Sequence, residues 1–367
     1  MIVKTLNILK SKVYGMTKCT LVALSLILSA SFITSCKGGI FEDLEECNPT
    51  YELKFIFDMN MDFADAFATK VNSVEVYAFD ANTDELIKTF TDSGDALSHK
   101  GYTMKLDLEP GDYKFIAWCG LENNDDHFVV APQVTQIEDL EIRMARNHNL
   151  RGIATQDLDL HPLFHGQTTA SLPLDNSNHV YEMSLIKDTN NVNISVQEIN
   201  GKPLDPQRFD IKITANNGHL GYDNQVIDDE DIEYIPYRKV SGATTSNSTR
   251  ADDGKNIVLA ELATSRLIYN HNPQLDVIDA ESGSTIYSIP LVKWSLMLKS
   301  EQYSYMGDQE YLDREDEFNI VLYVSSDENP DKPVIPDDPN NPDDIYVAVS
   351  IMINGWRVVI NGDQELH

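Results

Sequence analysis

The residue whose surroundings specify a chemistry most clearly is Cys36. A basic start with four lysines leads into an apolar run over residues 21–33, and the small residues Thr34 and Ser35 follow it. Because this run is shorter than the about 20 residues of a membrane-spanning helix, it is typical of a secretion signal. Residues 33–36 therefore indicate a lipobox, in which small residues admit the signal peptidase and the Cys36 thiol carries the lipid.

This signal also predicts the organisation of the N-terminal part. We expect residues 1–35 to be a lipoprotein signal peptide, with Met16 as an alternative start, and residues 36–50 to be a lipidated acidic tether. Each buried methylene contributes about 0.8 kcal/mol, so stable anchoring takes more than one acyl chain. A lipoprotein carries several acyl chains, palmitate among them, on one cysteine. We therefore expect Cys36 to anchor this protein in a membrane.

Two further cysteines bear on the fold. The chain has four cysteines, of which Cys19 leaves with the signal and Cys36 is lipidated. Disulfides persist outside the cytoplasm, so the sequence predicts a bond between Cys47 and Cys119. Two small buried thiols are the alternative.

The charge of the chain excludes several classes of partner. It carries 59 acidic and 28 basic residues, a formal net charge of −31. Such a surface repels nucleic acid and anionic lipid headgroups, so we expect no nucleic-acid binding and membrane contact only through the lipid. The apolar fraction of 42% is typical of a folded chain and argues against disorder.

The search for catalytic or metal-binding patterns predicts that the protein is not an enzyme and holds no cofactor or metal. His161 and His165 are four residues apart, but Pro162 interrupts a helix between them and no Glu follows His161. The acidic runs 228–231 and 313–317 lack the alternating ligands and the glycine of a calcium loop. The sequence contains neither a G-x-S-x-G elbow nor a glycine-rich phosphate loop.

Period-two alternation of apolar residues predicts an all-β fold. Tyr51, Leu53 and Phe55 alternate with polar residues, and residues 109–112 form a turn in which Pro110 and Gly111 suit the corners. Short strands at this spacing are typical of a β-sandwich. Further strands are expected at residues 74–78, 104–108, 113–119, 181–186, 192–196, 209–214, 285–298, 318–324, 345–353 and 356–360.

The strands group into two predicted domains, an N-terminal β-sandwich over residues 51–187 and a C-terminal one over residues 188–367. Residues 122–170 are less regular, and residues 136–144 fit either a strand or a short helix. Two polar insertions interrupt the second half. The first, 241–256, is rich in Ser and Thr, and the second, 327–344, is an acidic, proline-rich loop that we expect to be extended.

The chain resembles the FimB/Mfa-type fimbrial anchor and assembly lipoproteins of Gram-negative anaerobes. Each matching piece is short, but their order extends over nearly the whole mature chain. The pieces are Cys36 and Cys47, then residues 74–80, 111–118, 181–196, 217–218, 222–224, 235–237, 264–267, 311–316 and 353–356.

This resemblance implies two tandem transthyretin-like β-sandwiches and no catalysis. It also implies a surface-exposed outer-membrane lipoprotein, involved in cell adhesion and virulence, that anchors a fimbria and helps regulate its length. Its partners would be fimbrial shaft subunits, bound by β-strand addition, in which backbone hydrogen bonds give affinity and alternating side-chain pockets give register. Asp313, Arg314 and Trp356 would define the fold rather than bind a ligand.

Two alternatives stay open at this point. The segment 345–360 follows the acidic loop, and it could either be donated to a partner or close its own sandwich. The chain could also be a glycan-binding surface lipoprotein with a β-sandwich fold. That function predicts exposed aromatic platforms, whereas Trp118 and Trp294, two of only three tryptophans, lie in strand-like runs.

Overall fold

Alternating apolar side chains fold most of this chain into β-strands. The computed structural model describes residues 49–121, 127–199, 201–242, 256–297, 299, 301–325, 347–353 and 356–359. The predicted signal peptide, nearly all of the tether with Cys36 and Cys47, and the acidic loop 327–344 lie outside the described residues. In the part that is described, no helix is long and apolar enough to cross a membrane.

The strands are numbered in chain order. They are β1 (Thr50–Ile56), β2 (Ser73–Asp80), β3 (Leu86–Ser93), β4 (Thr103–Leu106), β5 (Gly111–Cys119), β6 (Phe128–Val130), β7 (Glu141–Met144), β8 (Asn147–His148), β9 (Ala154–Gln156), β10 (Phe164–Leu172), β11 (Asn178–Lys187), β12 (Thr189–Glu198), β13 (Phe209–Ala215), β14 (His219–Gly221), β15 (Ile232–Tyr234), β16 (Arg238–Gly242), β17 (Ile257–Ser265), β18 (Gln274–Asp279), β19 (Thr285–Pro290), β20 (Glu317–Ser325), β21 (Val347–Ile353) and β22 (Trp356–Val359).

The described helices are short. They are α1 (Phe67–Lys70), α2 (Leu291–Met297) and α3 (Asp308–Arg314), with 3₁₀ turns at Gly94–Ala96, Ile137–Asp139, Pro206–Arg208 and Glu301–Tyr303.

The first sandwich is a row of seven strands that folds over on itself. The order is β3-β2-β5-β10-β11-β1-β4, and β1 is parallel to β11 and antiparallel to β4. Leu53 and Phe55 of β1 are buried in the same core as Val76 of β2 and Phe115 of β5. The alternation predicted for β1 is present, since its burial changes at every residue along the strand.

The second sandwich consists of two six-stranded sheets. Their orders are β16-β17-β12-β20-β21-β22 and β19-β18-β13-β15-β9-β8. Val192 and Ile194 of β12, Ile320 of β20, and Ile211 and Ile213 of β13 are buried in one core. The predicted all-β fold with two β-sandwiches in tandem is therefore confirmed.

Within the less regular segment 122–170, residues 127–163 cover the outer face of the first sandwich. Ile116 and Trp118 of β5 point away from the first core and pack with Phe128, Leu140 and Ile142. This cover gives β5 apolar neighbours on both faces, so its burial is continuous from Phe115 to Cys119. The ambiguous stretch 136–144 is a 3₁₀ turn followed by strand β7.

The predicted boundary at residue 188 coincides with a change of sheet but not with a separation into compact units. β11 ends at Lys187 in the first sandwich, and β12 begins at Thr189 in the second. However, β9 pairs in parallel with β15 of the second sandwich, with Ala154 opposite Ile232. Both sandwiches belong to the same compact unit of the chain.

One predicted strand is half wrong. Residues 285–298 were expected to be extended, but the strand ends at Pro290 and helix α2 follows it. Leu291, Val292, Trp294 and Ser295 are buried, which is a helical spacing rather than an alternation. The apolar period changes within the run, and a single period-two interpretation missed the change.

Candidate functional site

The cysteines that the sequence singled out are only partly within the described residues. Cys36 and Cys47 lie outside them, whereas Cys119 is a free cysteine whose side chain is fully buried at the end of β5. Burial raises the pKa of the Cys119 thiol far above its ordinary value. Because the thiolate is the reactive form, Cys119 is an inert core residue in this fold.

The strand register weighs against the predicted Cys47–Cys119 bond. Through β10, Cys119 lies level with Lys187 of β11, whereas Thr50 of β1 lies level with Asn178 at the other end of β11. At about 3.3 Å per residue, these levels are about 30 Å apart. The three residues from Cys47 to Thr50 span at most about 11 Å, and a disulfide needs Cα atoms within about 7 Å. Two separate thiols are therefore favoured.

The two histidines that are four residues apart lie in different environments. His161 is exposed and its ring lies tilted beside that of His127, with ring centroids 5.4 Å apart and an interplanar angle of 51°. His165 is buried against Trp118, and its Nε2 lies 2.8 Å from the carbonyl oxygen of Tyr222. Burial lowers the pKa of His165 to about 4, so its ring is neutral. Within the described residues, no group of three or more His, Cys, Asp or Glu side chains could hold a metal ion.

The acidic runs are used for ion pairs. Asp229 and Glu230 of the first run lie 2.9 and 3.4 Å from the guanidinium of Arg146, whose side chain is largely buried. Asp313 of the second run pairs with Arg266 rather than with its neighbour Arg314. The positive charge near Asp229, Glu230 and Asp313 is therefore supplied by arginines.

The C-terminal hairpin continues the sheet of its own sandwich. β21 is antiparallel to β20, with Ile351 opposite Leu322, and β22 is antiparallel to β21, with Arg357 opposite Met352. Of the two arrangements left open by the sequence, this structure has the one in which the hairpin closes its own sandwich. β22 is thus one of the edge strands of the described sheets.

The longest edge strand in the described part is β3, with eight residues that alternate in exposure. A depression of about 530 Å³ separates it from the opposite edge strand, β4. Asp92 of β3 accepts a hydrogen bond of 2.7 Å from the Tyr102 hydroxyl, beside β4. We call this depression the edge groove. It is lined by Glu52, Phe90, Thr91, Asp92, Tyr102, Thr103, Met104 and Lys105.

A second feature is a buried cluster of polar side chains, here called the polar junction. Its centre is Arg266, which follows β17 and donates from Nε and Nη2 to Oδ1 and Oδ2 of Asp313 in α3, both at 2.9 Å. Its Nη1 donates to the carbonyl oxygen of Asn224. The polar junction consists of Asp188, Asn190, Asn217, Asn224, Arg266 and Asp313, all buried.

Amide side chains of the polar junction hold the backbone that carries Arg266. Asn217 donates to the carbonyl oxygens of Ser265 and Arg266 at 3.1 and 3.0 Å, and Asn190 donates to that of Ser265 at 3.2 Å. The Tyr234 hydroxyl in turn donates to Oδ1 of Asn217 at 2.6 Å. The guanidinium is therefore held in place by its own backbone as well as by its charge partner.

Asp188 joins the two sandwiches through the polar junction. It lies between β11 and β12, and its N–H donates to the Leu163 carbonyl oxygen at 2.7 Å. Its Oδ1 accepts from Nδ2 of Asn224 at 2.9 Å and lies 3.7 Å from Nε of Arg266. Its Oδ2 has no hydrogen-bond partner among the described residues. The carboxylate is thus deeply buried and only partly satisfied.

The protonation of Asp188 and His165 couples the polar junction to pH in opposite directions. Burial raises the pKa of Asp188 to about 7, although the Arg266 guanidinium opposes the shift. The folded state then keeps a proton that the unfolded state has released, so this group lowers stability as pH rises from about 4 to about 7. The lowered pKa of His165 raises stability between about 4 and about 6.5, which offsets much of that loss.

The chemistry of the polar junction is structural. Its carboxylates, guanidinium and amides are buried and bonded to one another. Among the described residues, it presents neither an exposed nucleophile nor a cleft with a free carboxyl pair. The sequence had singled out the pieces 181–196, 217–218, 222–224, 264–267 and 311–316, but not their convergence. The sequence feature that could have indicated the polar junction is that each of these pieces has a polar residue in or beside a strand or a short helix.

Comparison with known proteins agrees with this fold. A family model described as fimbrillin-A associated anchor proteins Mfa1 and Mfa2 matches residues 44–362. The minor fimbrium anchoring subunit Mfa2 of Porphyromonas gingivalis is 23% identical over 334 residues, covering 89% of this chain and 90% of that protein.

Solved structures of similar proteins share this fold. Two proteins of Bacteroides thetaiotaomicron, one provisionally described as polysaccharide-binding and one as an adhesin, are 27% and 32% identical, and each has a TM-score of 0.69. Each match covers 87% of this chain and 100% of the other. The fimbrial anchor protein Mfa2 from Porphyromonas gingivalis shares the fold, with 21% identity and a TM-score of 0.62 over 85% of this chain and 99% of that one.

Replacement of Arg266 by leucine should strongly destabilise the fold. Asp313 and Asp188 would remain buried without a cation, at a cost of about 3–5 kcal/mol in the free energy of unfolding. The matched control is Arg238→Leu, which removes a pair with Glu261 in which the arginine side chain is 59% exposed, and which should cost less than about 1 kcal/mol. Urea unfolding of the full chain measures both variants, and equal losses would contradict the role of the polar junction.

The thiol of Cys119 should be free in the protein from cells. Denaturation without a reductant, followed by alkylation and peptide mass spectrometry, should give alkylated peptides for both Cys47 and Cys119. Native protein should not be alkylated at Cys119, because that side chain is fully buried. A Cys47–Cys119 linked peptide would show instead that the predicted disulfide exists and that the first strands depart from this register.

Proposed function

The chain belongs to the family of fimbrillin-A associated anchor proteins Mfa1 and Mfa2, and from that premise we propose that it is an outer-membrane lipoprotein that anchors a fimbria to the cell and helps regulate its length. The observation that carries the proposal is the family match over residues 44–362, which includes both sandwiches. We propose from the sequence alone that the lipid on Cys36, at the end of the lipobox, is the membrane anchor.

The position of β1 suits a protein that transmits force. β1 lies between β11 and β4, so hydrogen bonds on both sides oppose its extraction. It pairs with β11 in parallel over seven residues, from Thr50 to Ile56. A force along this strand would load its hydrogen bonds in shear, and they would then have to break together. The strand nearest to the proposed tether is therefore well held in the fold.

Shaft subunits would bind by β-strand addition, for which the edge groove is the best placed surface. The edge strand β3 has β2 as its one neighbour in the described sheet, and outside that pairing the N–H of Leu86, at its start, donates to the carbonyl oxygen of Thr135 at 2.8 Å. At eight residues it offers the longest backbone ladder among the described edges, and ladder length sets the number of hydrogen bonds that a partner strand can form. The hairpin β21–β22 would remain on its own sandwich in this arrangement.

Glycan binding is a second candidate function. The neighbour from Bacteroides thetaiotaomicron described provisionally as polysaccharide-binding is 27% identical over most of this chain. In this chain, the side chains of Tyr269 and Tyr305 are 55% and 71% exposed, so aromatic surface is available although the buried Trp118 and Trp294 do not supply it.

Loss of the lipid-bearing cysteine should release the protein without unfolding it. In Cys36→Ser, the protein should leave the outer-membrane fraction, and fimbriae should appear in the culture medium. Cys47→Ser is the matched control, since it removes a nearby cysteine and keeps the lipobox. Cell fractionation and electron microscopy measure both outcomes. Fimbriae that stay on cells carrying Cys36→Ser would refute the anchoring function.

Charges placed on β3 should weaken the capture of shaft subunits. Ile87→Lys combined with Thr89→Lys adds lysines to the exposed face of this edge, a change that disfavours strand addition. Leu259→Lys is the control, because Leu259 is 37% exposed, compared with 49% for Ile87, but lies on β17, which at this residue pairs with both β12 and β16. Quantitative pull-down from cells should show a loss of at least tenfold for the β3 variant only. An equal yield from both would exclude this edge.

A further inference from the structure

Two depressions meet along the loop between β17 and β18. Their volumes are about 360 and 480 Å³, and both are lined by His271 and Asn272. The first extends towards Asn216 at the end of β13, and the second towards Lys293 of α2. Volumes of this size are typical of small-ligand sites. We call the combined feature the Tyr269 groove, after the exposed aromatic residue at its side.

The loop that forms the Tyr269 groove is fixed at both ends. Gln309 of α3 donates to the carbonyl oxygen of Leu267 at 3.1 Å and accepts from the N–H of Tyr269 at 3.0 Å. At the other end, the N–H of Leu291 donates to the carbonyl oxygen of Pro273 at 2.9 Å. A loop held in this way is already in its binding shape, so a ligand would not have to order it.

The residues between these ends point their polar groups outward. Tyr269, Asn270 and Asn272 are exposed, and His271 is half-buried. Among the described residues, none of these four side chains has a hydrogen-bond partner. Four adjacent unpartnered polar side chains on a fixed loop are a set of groups available to a ligand.

The chemistry of these groups fits a neutral, hydroxyl-rich ligand. The chain has a net charge of −31, yet the unpartnered polar groups of the groove include the uncharged amides of Asn270 and Asn272, with the imidazole of His271 between them. Amides donate and accept hydrogen bonds at once, as sugar hydroxyls require. An exposed tyrosine ring offers a flat apolar face for the C–H side of a sugar.

Peptide and anionic ligands fit the groove less well. A peptide that binds by strand addition needs a strand edge, but β13 and β18 are internal strands of their sheet. An anion would meet the acidic side chains of Asp231 and Asp308 on either side, with Lys293 as an exposed cation of the lining. A neutral glycan avoids both difficulties.

We propose that the Tyr269 groove binds a neutral glycan, with the Tyr269 ring stacked on a sugar and the amides of Asn270 and Asn272 bonded to its hydroxyls. The proposal rests on the second candidate function, glycan binding, and is independent of fimbrial anchoring. It would let the same protein hold a fimbria and contact a polysaccharide surface.

A glycan array probed with the full chain in detergent tests this site. Neutral glycans should bind, Tyr269→Ala and Asn272→Ala should each lower the affinity at least tenfold, and Tyr269→Phe should keep most of it because the ring remains. Tyr305→Ala is the matched control, since this tyrosine is 71% exposed but does not line the groove. Calorimetry with the strongest array glycan gives the fold-changes.

The outcomes separate the site from the function. Neutral-glycan binding that survives Tyr269→Ala would overturn the groove and keep glycan binding, while no binding to any neutral glycan would overturn both. A preference for acidic glycans, or a loss of shaft-subunit capture in Tyr269→Ala, would also overturn the assignment, the latter in favour of a protein partner. Circular dichroism of each variant confirms that a loss of binding is not a loss of fold.

Discussion

The structure depends on the ion pair between Arg266 and Asp313 at the centre of the polar junction. Both side chains are buried, so their removal from water costs several kcal/mol per ion, and only well-made hydrogen bonds repay it. The bidentate geometry and the Asn224 carbonyl give each guanidinium nitrogen a hydrogen-bond acceptor. Asp188, beside the pair, lies at the change from the first sandwich to the second, so the same charge also fixes how the chain passes between them.

The local pattern of the sequence predicted the strands, but not what brings them together. The alternation of Tyr51, Leu53 and Phe55 with polar residues can be seen within a few neighbouring residues, and the burial along β1 alternates in the same way. The Arg266–Asp313 pair joins residues 47 positions apart, and neither residue indicates its partner. Similarly, Cys47 and Cys119 were paired by compartment alone, whereas a disulfide also depends on strand register, which the sequence does not show.

The outer face of the first sandwich explains why segment 127–163 was hard to interpret. Ile116 and Trp118 give β5 a second apolar face, which water would disfavour. The segment covers this face with a 3₁₀ turn and short strands, and β9 then continues into the sheet of the second sandwich. Such pieces are too short for a clear period, so their structure is set by the surfaces they cover rather than by their own propensity.

The same helix connects the buried charge to the exposed loop. Gln309 of α3 donates to Oδ1 of Asp313 at 2.8 Å and also holds the backbone of Tyr269. Arg266 is only three residues before Tyr269, so the fixed end of the Tyr269 groove is anchored directly in the polar junction. A surface loop is usually mobile, but one attached to a buried ion pair keeps its shape. The constraint that holds the two sandwiches together therefore also preorganises the groove.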